Sequence, residues 1–233
     1  MAFENLEKKI VAYYASQAET KTRGYIGASI LGHVCERRIW LEWNASKMPP
    51  QDPIKIGNRE EKFDRGRHEE ERLIKALLGA RYMVIDRQGA FSVMDANFQG
   101  HIDGVILDGD GKKHILEIKS ANEKNFLKLQ KQGIEAAFPN YYLQCQMYMH
   151  FLNIPQCLFL AVNKNNGEIY KVVFSSNEAV IAEGLRKIKK IISHGQDMPT
   201  RLPPDASGTP SIVPCQYCEF FDFCYPKKGK AND

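Results

Sequence analysis

Gly100-His101-Ile102-Asp103-Gly104-Val105-Ile106-Leu107, a turn at Asp108-Gly109-Asp110-Gly111, and then Lys113-His114-Ile115-Leu116-Glu117-Ile118-Lys119 decide how this chain is read. Two runs rich in β-branched and apolar residues flank a Gly-Asp-Gly turn, which predicts a hairpin with strands over 100–107 and 113–119. Side chains two apart on a strand share a face, so Glu117 and Lys119 point the same way, with Asp103 on the neighbouring strand. Two carboxylates and an ammonium projecting from apolar strands are costly to desolvate unless something compensates them. A hard divalent cation held by oxygen ligands beside the lysine would do so, and points to metal-dependent hydrolysis.

Working outward, helical periodicity covers 4–21, through Leu6, Ile10, Tyr13 and Tyr14. Ser29 is placed to cap a second helix running to about residue 45 and carrying Cys35, Ile39 and Trp40. A loop at 48–53 precedes a long charged helix over 57–78. Strands are expected at 81–86 and 90–94, then the hairpin above. Helices are expected at 122–132 and 140–152, a strand pair at 156–162 and 168–174 across Asn165-Asn166-Gly167, and a helix at 177–194. A Pro-rich connector spans 197–214. This order predicts an α/β (α+β) fold with a mixed sheet flanked by helices, and a helical lobe built from both termini.

Composition narrows the class. The chain has 233 residues, enough for one full domain, and 43% hydrophobic with 26% charged residues is ordinary for a soluble globular protein. The net charge of +4 permits nucleic-acid binding but a solvated basic surface explains it equally well. No apolar run is long enough to span a membrane, and the N-terminus lacks the apolar core of a signal peptide. A cytoplasmic protein of a bacterial, archaeal or phage-infected cell is therefore expected. In that compartment six cysteines favour metal ligation over disulfides.

Two helical positions add to the site. His68, in Arg65-Gly66-Arg67-His68-Glu69-Glu70-Glu71, is read as flanking an apolar stripe of Phe63, Ile74, Leu77 and Leu78, where an imidazole can ligate metal. A surface histidine is the alternative. Gln144 and Tyr148 are four apart and share a helix face, from which they could reach a phosphate or could be half-buried packing residues. Arg65 and Arg67 are either phosphate contacts or an exposed basic face.

In this order, His68, Asp103, Glu117-Ile118-Lys119 and Gln144-x-x-x-Tyr148 resemble the PD-(D/E)XK nuclease superfamily, specifically its RecB-like branch, over roughly residues 55–175. Ile102 stands where the superfamily's name has proline. The resemblance implies that Asp103, Glu117, His68 and the carbonyl of Ile118 bind Mg2+ or Mn2+. It implies that Lys119 orients the attacking water and that Gln144 and Tyr148 position the DNA strand.

Cys35 stands alone, whereas Cys215, Cys218 and Cys224 form Cys-x2-Cys-x5-Cys near the other end. Four thiolates suit a structural Zn2+ or a [4Fe-4S] cluster. Zinc ribbons pair two Cys-x2-Cys knuckles, so the solitary distant ligand favours iron–sulphur. The arrangement resembles the CRISPR-associated RecB-like nucleases and related phage proteins, in which one cysteine before the core joins three after it around a [4Fe-4S] cluster. Cys145 and Cys157 read as core thiols.

The resemblance therefore implies a single nuclease domain over 1–233. Its restriction-endonuclease-like PD-(D/E)XK core lies at 55–195, with 1–54 and 196–233 forming a helical lobe stapled by the cluster. The expected activity is a metal-dependent DNA exonuclease acting on single-stranded DNA or DNA ends, in CRISPR adaptation or phage recombination and repair, with oligomerisation possible. A DNA-end-binding adaptor working with an integrase or another recombination partner is the rival reading. The chain contains no Gly-x4-Gly-Lys-[Ser/Thr] phosphate loop, so no helicase motor is expected.

Overall fold

The computed structural model describes residues 5–18, 24–49, 52–203, 215 and 218–226. Helix α1 (Leu6–Ser16) is followed by a short strand β1 (Ile26–Gly27) and two helices, α2 (Ala28–Leu31) and α3 (Glu36–Trp43). The single helix expected from Ser29 is thus broken. The break has a local cause: the Cys35 N–H turns to His33 Nδ1 at 3.1 Å, and Cys35 adopts extended backbone as the N-cap of α3. Gly32, at the end of α2, seats against the next layer; a Cβ there would come within 2.4 Å of the Asn140 Cα.

Helix α4 (Pro53–Gly79) starts earlier than its charge pattern suggests, because Asp52 caps it by accepting from the Ile54 N–H at 2.8 Å and Pro53 occupies the first turn. Strands β2 (Met83–Ile85), β3 (Ala90–Val93), β4 (Phe98–His101), β5 (Gly104–Leu107) and β6 (Lys113–Ala121) follow. Next come α5 (Glu123–Ala137), α6 (Pro139–Leu152), β7 (Gln156–Asn163), β8 (Ile169–Ser175), α7 (Glu178–Ser193) and a short α8 (Phe221–Cys224). Helix α5 runs past its expected end, with a break at Gly133, whose φ of 72° glycine tolerates.

Two sheets form: β1-β4-β3, and the larger β2-β5-β6-β7-β8. The larger sheet is antiparallel except for the central β6/β7 pair, which is parallel through the α5–α6 crossover. A single strand over 100–107 does not form. The Ile102 N–H bonds the Gly89 carbonyl at 2.9 Å, extending the β3/β4 pairing by one residue, and the chain then crosses into the larger sheet at Gly104. Asp103 sits at that crossing rather than within a strand. Gly100 is required just before it: the rings of Phe91 and Tyr148 would lie 2.6–2.7 Å from any Cβ there.

The sheet faces are packed differently. Leu73 and Ile74 of α4 bury against Ile106, Leu116, Ile118, Leu160 and Val162. The opposite face, with Ile115, Cys157, Phe159 and Ala161, joins a larger core containing Cys145, Met147 and Tyr148 of α6, Ile188 of α7 and Trp40 of α3. Alternation along β6 therefore sends Leu116 and Ile118 toward α4, and Ile115, Glu117 and Lys119 toward α6. The Trp40 indole N–H donates to the Gly195 carbonyl at 3.1 Å, fastening the N-terminal helices to the end of α7. The fold is mixed α/β, as the element order predicts. No helix among the described residues is long and apolar enough to cross a membrane.

Candidate active site and cysteine pocket

Strand β6 delivers Glu117 to the interior, where it is 1% exposed. Its Oε1 accepts from Lys119 Nζ and from Gln144 Nε2, the latter at 3.0 Å. Gln144 Nε2 also lies 2.7 Å from the Tyr148 hydroxyl, to which it donates. Asp103, at the β4–β5 crossing, accepts the backbone N–H of Ile118 through Oδ2 at 2.6 Å. The structure thus brings Asp103, Glu117, Lys119, Gln144 and Tyr148 together.

Burial sets the electrostatics. It raises Glu117, and the nearby Asp103 charge adds to it, so the carboxyl is pushed up to about 8 even though Lys119 opposes the shift. Burial likewise raises Asp103, against Lys119 and the Ile118 N–H. For Lys119, burial works against the charge, but Glu117 and Asp103 outweigh it and hold the ammonium well above the ordinary lysine range.

His68 does not join this group. Its side chain is 75% exposed, and its Nδ1 lies 2.9 Å from the Asp64 carbonyl of its own helix. The apolar stripe expected through Phe63 and Leu78 does not form, because both are exposed and the buried face of α4 is set by Leu73 and Ile74. Glu70 lies three and four residues before those two, on their face. Burial and the Asp103 charge push Glu70 up to about 7, and Gln88 Nε2 holds its Oε1 at 2.6 Å. Glu70 therefore lies within electrostatic reach of Asp103. The helical phase of Leu73 and Ile74 was the signal for it, hidden in a run of three glutamates that reads as a solvated face.

Gln144 and Tyr148 are 4% and 2% exposed, so both face inward to Glu117 rather than outward to a strand of nucleic acid. Arg65 and Arg67 are exposed and paired with Glu61 and Asp64 on their own helix.

The donor set suits a divalent cation. Among the described residues, Glu117 Oε2 is buried without a hydrogen-bond partner, and so is Gln144 Oε1. Asp103 and Glu70 both raise Glu117, so these carboxyls hold protons that a bound cation would displace. Among the described residues, no three or more His, Cys, Asp or Glu side chains stand close enough together to hold a metal ion, the carboxyls here and the cysteines included.

Cys35, Cys215, Cys218 and Cys224 line one pocket with His33, Arg37, Arg38, Arg201 and Tyr225. Arg37 Nη1 lies 3.9 Å from Cys224 Sγ, and Arg201 donates to the Cys224 carbonyl. Burial pushes the Cys215 thiol up, and so do the Cys35 and Cys224 thiols beside it. The pocket is braced by Glu219, which takes Arg38 at 3.2 Å and Arg59 of α4 at 2.6 Å. Cys145 and Cys157 are fully buried, far into the main core. Phe220 is buried in the same core, whereas Phe223 is exposed.

The model of the YqaJ-like viral recombinase domain matches residues 19–153, more than half of the chain. No curated protein matches. Among solved structures, LHK-Exo in complex with dAMP is 15% identical, with a TM-score of 0.56 over 80% of this chain and 91% of the other. The alkaline exonuclease LHK-Exo from Laribacter hongkongensis is 16% identical, with a TM-score of 0.55 over 78% and 90%. SSO0001 is 17% identical, with a TM-score of 0.55 over 97% and 96%. At these identities the likeness is one of fold.

Proposed function

This chain belongs to the YqaJ-like viral recombinase family, and from that premise we propose that it is a metal-dependent DNA exonuclease of phage-type recombination. The observation that carries the reading is the buried hydrogen-bonded set of Glu117, Lys119 and Gln144 beside Asp103, with one Glu117 oxygen left without a partner among the described residues. The name of its structural relative LHK-Exo, an alkaline exonuclease, supports the same activity. The family's viral recombination setting favours that context over CRISPR adaptation, and favours a recombination partner over an integrase.

Asp103 and Glu117 would hold Mg2+ or Mn2+, with the Ile118 carbonyl and Glu70 as further oxygen donors; Glu70 takes the place that the sequence order assigned to His68. When bound, such an ion lowers the pKa of water and neutralises charge on a phosphodiester. Lys119 presents its ammonium beside Glu117, where it can orient water and stabilise charge developing on phosphate. Gln144 and Tyr148 hold Glu117 in place. This role replaces direct contact with DNA, because both side chains are buried.

The four-cysteine pocket is proposed as the seat of a [4Fe-4S] cluster. Support comes from one pocket lined by Cys35, the N-cap of α3, and by three cysteines of the C-terminal segment beside three arginines, which suit an anionic cluster. In that reading 55–195 is the nuclease core, with 1–54 and 196–233 as the stapled lobe. Zinc is the alternative occupant. Iron and acid-labile sulphide in the purified protein, with absorbance near ~400 nm, would support the cluster; one zinc per chain and no such absorbance would overturn it.

The function is tested with end-labelled single- and double-stranded DNA in Mg2+, Mn2+ or EDTA, beside a Lys119→Ala control. Metal-dependent release of nucleotides from ends, lost in the control, is expected. Binding of DNA ends without cleavage would instead favour the adaptor role.

A further inference from the structure

With Gln144 and Tyr148 turned inward, the face of α6 they occupy continues one turn earlier at Tyr141, three residues before Gln144. Tyr141 is half-buried. Its ring centroid lies 5.6 Å from Lys119 Nζ, in cation–π range. The ring stacks on Phe159 at 6.4 Å and leans on Phe138 at 5.5 Å. Its hydroxyl makes no hydrogen bond to any described residue. Phe138 is itself covered by the Lys128 ammonium, 5.3 Å from its ring. A phenol pinned by aromatic neighbours and a cation, with its oxygen uncommitted, is a preorganised donor beside the lysine of the cluster.

We propose that Tyr141 contacts the substrate, its hydroxyl donating a hydrogen bond to a phosphate oxygen of the bound DNA strand while its ring steadies Lys119. The inference rests on the DNA-hydrolase reading and deepens it. A hydrogen bond to an ionised phosphate is among the stronger ones, and the rigid ring leaves little side-chain freedom to lose when it forms.

The test compares Y141F, which keeps the ring and removes the oxygen, with Y141A, which removes both. Affinity for fluorescein-labelled single-stranded DNA is measured by anisotropy in EDTA, and KM and kcat are measured in Mg2+. Y141F is expected to weaken binding and raise KM by about tenfold, with a smaller change in kcat and an unchanged Tm. Y141A is expected to lower kcat as well. A Y141F protein that binds DNA in EDTA as tightly as wild type overturns the proposal, whatever Y141A does. If the wild-type protein binds DNA but does not cleave it, the hydrolase reading fails on its own, and the EDTA comparison still decides the contact.

Discussion

Gln144 donates one hydrogen bond to Glu117 across the interface between α6 and β6, 3.0 Å long and closed to solvent. The same amide nitrogen meets the Tyr148 hydroxyl one turn further along the helix. A buried carboxylate is thus held by a neutral side chain on one side and by Lys119 on the other. Removing Gln144 leaves two buried polar groups short of a partner, at a cost of about 1–3 kcal/mol. Gln144→Ala should lower Tm by roughly 2–4 °C per kcal/mol and reduce cleavage. A variant that melts with wild-type Tm would show that the bond contributes nothing.

Glu117 and Lys119 are expected to be indispensable to cleavage. Glu117→Gln keeps the shape and the Gln144 contact but removes the charge that would hold a cation. Lys119→Ala removes the ammonium. Each should reduce cleavage by roughly 10²–10³-fold or more, with circular dichroism unchanged. Cleavage within a few-fold of wild type in either variant would remove that residue from the site.

Glu70 and His68 stand two positions apart and have opposite fates. Glu70→Gln should reduce Mg2+-dependent cleavage by about 10²-fold, as expected for the loss of a group holding a metal. His68→Ala should leave it near wild type, because the imidazole is solvated and bonded to its own helix. The reverse result would restore His68 to the site and dismiss Glu70.

The metal-free protein should be sensitive to pH in a defined direction. Burial and the Asp103 charge raise Glu117 from 4.5 to about 8 and Glu70 from 4.5 to about 7. Between the ordinary carboxyl value and these raised ones the native state binds more protons than the unfolded chain, so stability falls as pH rises through that window. In EDTA, Tm should therefore decline from about pH 5 to about pH 8. Mg2+ or Mn2+ displaces those protons, so the Tm gain on adding metal should be larger at the alkaline end. Equal gains at both ends would show that these carboxyls do not meet the ion.

Cys218→Ala should lose bound metal and loosen the attachment of the C-terminal segment to α3. Metal content per chain measures the first, and protease sensitivity of the C-terminal segment the second. A variant with full metal content would strike Cys218 from the ligand set.

The chemistry of the core was legible in the order of residues. Period-two alternation put Glu117 and Lys119 on one face of β6, the Gly-Asp-Gly turn closed the hairpin, and four-residue spacing put Gln144 and Tyr148 on one side of α6. These are local rules, and each acts within a strand or a helical turn. The sequence by itself thus determined the hairpin, the shared faces on β6 and α6 and the order of most elements. Only the tertiary structure decided that the chain breaks at Ile102-Asp103 to pass between sheets, that Gln144 and Tyr148 face inward, and that Glu70 rather than His68 approaches the site. Those outcomes depend on what packs against each face. A charged helix and a run of glutamates look alike on every side until a neighbouring sheet covers one of them, and here Leu73 and Ile74 seated on β6 and β7 bring Glu70 within electrostatic reach of Asp103 and leave His68 in water.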